Sequence, residues 1–309
     1  SMQKAVERAE EMADFSIRNI YAGIAGSHIR SFNSHGIVAI SANEVSDSDV
    51  DRVIDAARAV AIPADQKILH ILPQEFIIDS QVGIKEPVGM SGVRLEAKVH
   101  IVTGAVSSAQ NIEKCIVQCG LRSMDIILEQ LASSYAVLNE DEKELGVCMV
   151  DIGGGTTDVA IFTDGAIRHT SVIPIAGDQV TNDIAIAFRT PTRSAEKVKL
   201  EYASCLENQS SADRMVEISG VADRPAKQIS EGALAQVVQP RYEELFALIK
   251  SELRKSGFED LIPSGIVLTG GASKVKNALD LAEQIFQMPV RLGSSLNVEG
   301  PAEIIDNPI

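Results

Sequence analysis

The stretch LGVCMVDIGGGTTDVAIF, residues 145–162, decides the fold that this sequence predicts. Two apolar segments flank three successive glycines, which predicts two strands joined by a special turn. Because glycine has no Cβ atom, the backbone can turn sharply there and its N–H groups can converge on phosphate oxygens. A Rossmann G-x-G-x-x-G turn leads into a helix, whereas these glycines lead into a strand, so a nicotinamide or flavin site is disfavoured.

The residue types in this glycine turn suit the phosphates of a nucleotide. A carboxylate at the end of the first strand can hold a hydrated Mg²⁺, and threonine hydroxyls can donate to phosphate. A decorated tight turn is the competing interpretation, but a plain hairpin needs fewer glycines. The predicted phosphate and Mg²⁺ residues are Asp151, Gly153, Gly154, Gly155, Thr156 and Thr157.

Composition narrows the class of protein. The 309 residues are 45% hydrophobic and 23% charged, which is typical of a folded chain with two or more compact units. A net charge of −15 repels phosphate backbones, so no nucleic-acid partner is expected. The four cysteines lack zinc spacing. Without a signal peptide or a membrane-spanning apolar run, the chain is expected in the cytoplasm.

Upstream of the glycine turn, the hydrophobic pattern predicts a small α+β unit over residues 17–119. A capping box of Ser46 with Asp49 opens an amphipathic helix, and Pro73 predicts a bulge or an edge position in a strand. A later helix is expected to end at Gly120. The predicted strands are 17–25, 36–40, 67–79 and 93–101, and the predicted helices are 46–63 and 107–119.

Two burial patterns follow within that unit. Strict alternation over 93–101 predicts a buried face that includes Val93 and a wet face that includes Glu96 and His100. The apolar side of the helix 107–119 is expected to bury Cys115 and Cys119 as small hydrophobic residues.

Downstream of the glycine turn, helical periodicity covers 181–203 and 231–254, and Pro240 predicts a kink or the start of a second helix. A short strand is expected at 214–218. The strand 266–269 leads into two glycines, with Ser273 as the N-cap of the following helix.

At this point three motifs in order resemble the actin, Hsp70 and sugar-kinase superfamily. DIGGGTTDVAIF resembles its second phosphate loop, SAEKVKLEYA its ribose-contacting helix and LTGGASKVKN its adenosine loop. The resemblance implies that Glu196 accepts from ribose hydroxyls and that Lys199 lies near the base. An ordinary solvated ion pair is the competing interpretation of those two residues. The implied residues of the adenosine loop are Gly270, Gly271, Ala272 and Ser273.

Within that superfamily the chain is most similar to the FtsA family of bacterial cell-division proteins. The segments ILPQEFIID, GIKEPVGMSGVRLEAKVHIVTG, LASSYAVL and RHTSVIPIAG carry this resemblance. It implies an α/β, actin-like, two-lobed ATPase fold with a 1C subdomain in place of actin subdomain 1B. The implied boundaries are 1–16 for a remnant of lobe IA, 17–119 for 1C, 120–144 for the return of IA and a connecting helix, 145–200 and 263–309 for lobe IIA, and 201–262 for subdomain 2B.

The resemblance also implies a function as an ATP-binding division scaffold that self-associates and tethers FtsZ to the membrane. The FtsZ C-terminal peptide would bind 2B, with Arg241 as a candidate contact, and FtsN and other divisome proteins would bind 1C. The membrane anchor that closes the family and the family's first phosphate hairpin have no counterpart in this sequence, so binding of ATP and Mg²⁺ is expected to be weakened and any ATPase activity weak. A PilM-type pilus platform and a small-molecule kinase or phosphatase are the alternatives.

Overall fold

The computed structural model describes residues 2–210, 214–221 and 225–296. The chain divides into two compact units, Ser1–Ala132 with Ala166–His169, and Ser133–Gly165 with Thr170–Ile309. Among the described residues, no helix is both long and apolar enough to cross a membrane.

The first unit is built on an antiparallel sheet and a parallel strand pair. Its helices are α1 (Met2–Ala13), α2 (Asp47–Arg58) and α3 (Val106–Gln118). Its strands are β1 (Asn19–Ile24), β2 (Arg30–Ala39), β3 (Gln66–Ile78), β4 (Gln81–Ile84), β5 (Arg94–Ala105) and β6 (Arg122–Leu128). The sheet has the order β2-β5-β3-β4, and β1 pairs in parallel with β6. Helix α2 packs on the sheet through Val53 and Ala57, which are fully buried.

Local signals in this unit are confirmed. Ser46 and Asp49 form the expected capping box at the start of α2. Strand β3 continues through Pro73 with a register shift between Pro73 and Glu75, as expected for a bulge. Helix α3 ends just before Gly120, which has a φ of +73°.

The burial predictions for this unit are partly wrong. Leu95, Ala97, Val99 and Ile101 are buried as expected, but so are Glu96 and His100, whereas Val93 is exposed and lies outside β5. The second face is not solvated around His100, because Asn33, its neighbour across the sheet, donates to the Arg168 carbonyl at 3.4 Å. His100 Nδ1 itself lies 2.7 Å from Asn33 Oδ1. Cys115 is exposed and Cys119 half-buried, since α3 buries only the narrow stripe of Ala109 and Ile116.

Helix α4 (Glu129–Val137) carries the chain into the second unit, whose sheet has the order β13-β12-β7-β8-β9. Its strands are β7 (Val147–Ile152), β8 (Thr157–Thr163), β9 (Ala166–Ile173), β10 (Met215–Ile218), β11 (Lys227–Ser230), β12 (Ile266–Thr269) and β13 (Val290–Leu292). The first four residues of β9, Ala166–His169, are counted with the first unit. Its helices are α5 (Glu140–Leu145), α6 (Gly177–Phe188), α7 (Thr192–Tyr202), α8 (Glu231–Ser256) and α9 (Ala278–Phe286). Strands β10 and β11 form a separate antiparallel pair.

Two helix predictions for this unit need correction, and one of the two alternatives for Pro240 is excluded. The helical pattern 181–203 is divided between α6 and α7, because Arg189 adopts a left-handed conformation and Pro191 precedes the first residue of α7. Helix α8 is assigned as one element through Pro240, so no second helix starts there. Ser273 is not the N-cap of the following helix, since it lies in a 3₁₀ turn and Asn277 is the residue that precedes α9. The Ser273 hydroxyl donates to the Gly270 carbonyl at 2.6 Å.

Candidate nucleotide site

The glycine turn is the tip of the β7–β8 hairpin. Asp151 pairs with Asp158 and Ile152 with Thr157, so the tip comprises Gly153 to Thr156. The Gly153 N–H donates to the Thr156 carbonyl at 3.0 Å and closes the turn. Gly154 and Gly155 are exposed, and no described residue accepts a hydrogen bond from their N–H groups. Two backbone donors therefore remain for an anion.

The start of α6 is joined to this turn. The Gly177 N–H donates to the Gly153 carbonyl at 3.0 Å, and the Asp178 N–H donates to the Gly154 carbonyl at 2.7 Å. The exposed Asp178 carboxylate comes within 3.4 Å of the place where a Cβ on Gly154 would lie. Sequence reasoning missed Gly177 and Asp178. The only signal was a Gly-Asp pair at the start of a helix.

A second glycine turn lies beside the first because β12 runs parallel to β7, with Thr269 opposite Asp151. Gly270 follows with a φ of +83°. A Cβ atom there would lie 2.6 Å from the Ile152 carbonyl oxygen and closer still to Asp151 Oδ1. Only glycine therefore permits this approach between the two turns.

Helix α7 contributes an ion pair. Glu196 is partly exposed, whereas the Lys199 side chain is only 6% exposed and its Nζ lies 2.8 Å from Glu196 Oε2. Burial opposes ionisation of Glu196, but hydrogen bonds from Lys199 and Thr181 outweigh it, and the pKa of Glu196 falls below its ordinary value. The pair is thus not a solvated surface pair, because its cation is enclosed.

These elements line a cavity of about 500 Å³ in the second unit. It brings together six residues singled out from the sequence with Gly177 and Asp178. Its lining also includes Leu200, Tyr202, Lys274 and Lys276. The six are Gly153, Gly154, Glu196, Lys199, Gly271 and Ala272.

The other predicted site residues, Gly155 and Gly270 among them, do not line this cavity. Thr157 is fully buried and its hydroxyl donates to the Ile175 carbonyl at 2.7 Å, so the expected phosphate contact is wrong for this side chain. The Thr156 hydroxyl donates to Asp158 Oδ2 at 3.0 Å. Asp151 is half-buried and accepts from Ser133 Oγ at 2.7 Å. The buried Ser273 hydroxyl is engaged with Gly270.

The predicted peptide contact is also engaged within the unit. The Arg241 guanidinium forms two hydrogen bonds with the Asp183 carboxylate, at 2.6 and 3.1 Å, and a third with Glu244 at 2.5 Å. These bonds raise the pKa of Arg241 and join α8 to α6. The alternative that Arg241 is an exposed helix arginine without a partner is therefore wrong.

Comparisons with known proteins identify the family. A family model described as "Cell division protein FtsA" matches residues 148–309, and one described as "SHS2 domain inserted in FTSA" matches 26–103. The cell division protein FtsA of Pseudomonas aeruginosa is 62% identical over the whole chain, which covers 74% of that relative. That of Neisseria meningitidis is 48% identical, again over the whole chain and 75% of the relative. The chain belongs to the FtsA family of cell division proteins.

Solved structures support the fold of this FtsA-family chain. A PilM–PilN type IV pilus biogenesis complex superimposes with a TM-score of 0.65 at 14% identity, over 94% of this chain and 74% of that one. MreB5 of Spiroplasma citri bound to ADP gives a TM-score of 0.52 at 23% identity, over 62% of each chain. The predicted actin-like fold is confirmed. PilM is a structural neighbour only, whereas FtsA proteins are relatives in sequence.

Proposed function

We propose that this FtsA-family chain is an actin-like division scaffold whose cavity in the second unit binds ATP. The observation that carries the proposal is the convergence of two glycine turns and the Glu196 carboxylate on one cavity of about 500 Å³. That volume lies within the usual range for small-molecule and cofactor sites. Nucleotide binding is also in keeping with the actin-like fold, since an MreB5 neighbour is bound to ADP.

The proposed roles follow from the donors and acceptors in the cavity wall and in the glycine turn beside it. The N–H groups of Gly154 and Gly155 would bind phosphate oxygens, and Glu196 would accept from ribose hydroxyls. Gly271 and Ala272 would border the base, as the superfamily resemblance implies, and both line the cavity. Thr156 could donate to phosphate after its hydroxyl turns away from Asp158.

Mg²⁺ is proposed as the partner of the phosphates. Mg²⁺ keeps several waters and takes one or two protein carboxylates together with substrate phosphates, so it does not need a preformed protein cage. Asp151, through water, and Asp178 are the carboxylates beside the turn. When bound, the ion would offset the negative charge of the triphosphate.

A charge placed in the phosphate turn tests the nucleotide site. Gly154→Glu puts a second carboxylate next to Asp178, and we expect ATP affinity measured by calorimetry to fall at least about tenfold through repulsion of the phosphates. Ala247→Glu adds the same charge on an exposed position of α8 outside the cavity and should leave the affinity unchanged. Absence of ATP binding by the wild-type chain, or equal affinity of both variants, would contradict the proposed site.

The partners are proposed on the same basis. The FtsZ C-terminal peptide would bind subdomain 2B, 201–262, which includes β10, β11 and α8, while FtsN and other divisome proteins would bind 1C, 17–119. Self-association and attachment to the membrane complete the proposed scaffold. An acidic flexible tail that orders on binding should have micromolar affinity.

Arg241 remains the candidate peptide contact, although a peptide carboxylate would compete there with Asp183 and Glu244. Fluorescence anisotropy with a labelled FtsZ C-terminal peptide tests both parts. Arg241→Glu is expected to weaken binding. Lys197→Glu, at a 73% exposed position outside 201–262, is the control matched for a charge change of −2. No binding by the wild type would exclude the peptide site, whereas binding unchanged in Arg241→Glu, with an intact circular dichroism spectrum, would exclude this residue.

A further inference from the structure

We propose that Lys199 is a positioning residue, which holds the Glu196 carboxylate and the glycine turn in one arrangement without contacting the nucleotide. This inference rests on the proposed ATP site. It differs from the role that the superfamily resemblance implies, in which Lys199 lies near the base.

The environment of the Lys199 ammonium is the first argument. Its Nζ lies 3.0 Å from the Gly177 carbonyl oxygen, 2.9 Å from Thr181 Oγ1 and 2.8 Å from Glu196 Oε2. An ammonium has three protons and no acceptor, so these three acceptors use all of its donors. The side chain is 6% exposed. No donor is left for a base or a phosphate.

The neighbouring threonine cannot replace this ammonium. Thr181 Oγ1 lies 3.0 Å from the Gly177 carbonyl oxygen and makes a short contact with Glu196 Oε2. A hydroxyl has one proton and can donate to only one of these acceptors at a time. Lys199 donates to both, and therefore fixes the position of Glu196 relative to Gly177.

Gly177 connects this network to the phosphate side of the cavity. Its N–H donates to the Gly153 carbonyl, and the next N–H, of Asp178, donates to the Gly154 carbonyl. A Cβ atom on Gly177 would lie 3.2 Å from Lys199 Nζ and 3.3 Å from the Ala272 Cβ. The Lys199 ammonium, the glycine turn and the turn that contains Ala272 thus meet at Gly177. Loss of the ammonium would release the Glu196 carboxylate, which is proposed to bind the ribose.

The test compares ATP with 2′-deoxy-ATP and 3′-deoxy-ATP by calorimetry. A hydrogen bond to a carboxylate is strong enough that the wild-type chain should bind at least one deoxy nucleotide about tenfold more weakly than ATP. In Lys199→Met the Glu196 carboxylate is no longer held in place. The ratio of the dissociation constant for the deoxy nucleotide to that for ATP should therefore fall to about twofold or less. A general loss of packing would weaken all three nucleotides without changing their ratio.

Lys197→Met is the matched control. Lys197 lies on the same helix, is 73% exposed and makes only a 4.0 Å ion pair with Glu201. Its variant should keep the wild-type ratio. Glu196→Gln should lose the ratio, and adding Lys199→Met to it should change the ratio no further, because both substitutions act through one carboxylate. If Lys199→Met does not fold, Lys199→Gln supplies the same test, since its neutral amide cannot form the ion pair.

The outcomes separate the two proposals. If the wild-type chain binds no ATP, the proposed function fails. If it binds ATP and Lys199→Met, or Lys199→Gln in its place, keeps the full ratio with a wild-type circular dichroism spectrum, the positioning role is refuted while the site stands. A wild-type chain that does not distinguish ATP from either deoxy nucleotide would also overturn the positioning role.

Discussion

Gly270→Ala tests the close approach of the two glycine turns. Gly270 has a φ of +83° and a ψ of 161°, a region that residues with a side chain rarely enter. The added methyl group would lie 2.6 Å from the Ile152 carbonyl oxygen and 2.8 Å from its carbon, and still nearer to Asp151 Oδ1. Since two of these atoms belong to the backbone of the central sheet, a rotamer change cannot relieve the contact.

The expected loss of stability has two sources. Backbone strain costs about 1–3 kcal/mol. Overpacking of a closely packed site costs about 1–3 kcal/mol more. A loss of roughly 4 kcal/mol is a large part of the 5–15 kcal/mol that stabilises a typical domain, and at about 2–4 °C per kcal/mol it lowers the melting temperature by roughly 8–16 °C.

Thermal and urea unfolding followed by circular dichroism measure this loss. Gly155→Ala is the control, because a Cβ there has no neighbour within 4 Å and Gly155 has no positive φ. Its free energy of unfolding should stay within about 0.5 kcal/mol of the wild type. If the free energy of unfolding of Gly270→Ala lies within about 1 kcal/mol of the wild-type value, the two turns can separate at little cost and the steric argument is wrong.

Three further predictions concern ionisation and reactivity. Hydrogen bonds from Ser46 and Arg52 hold the pKa of Asp49 well below its usual value, so its stabilisation is present above about pH 4 and is lost as the pH falls further. The difference in urea midpoint between the wild type and Asp49→Asn should therefore narrow at low pH, and a constant difference would refute this. Burial lowers the pKa of His100 to about 4, so its imidazole should titrate by NMR near that pH and not near the usual value. Burial also raises the pKa of the Cys148 and Cys205 thiols, so thiol reagents should modify the exposed Cys115 first and these two cysteines only after unfolding.

The sequence by itself determined the elements whose signals are local. Three glycines between apolar strands predicted the hairpin tip, the Ser46 capping box predicted the start of α2, and Pro73 predicted the bulge in β3. Each signal depends on the conformation of a few consecutive residues. That conformation is set by the residue types themselves: glycine permits sharp turns, serine caps a helix and proline removes a backbone N–H donor. The actin-like fold was predicted from the resemblance that three motifs carry in the same order, and the pairing of β12 with β7 places two of them side by side.

Only the tertiary structure decided which groups are available in the site. Thr157 begins β8 and faces inward to Ile175, while the ammonium of Lys199 is enclosed by Gly177 and Glu196. Arg241 binds Asp183, which lies 58 residues earlier in the chain. The residue type fixes how many hydrogen bonds a side chain can make. The partners come from other elements of the fold, so packing decides whether a donor is used within the protein or stays available for a ligand.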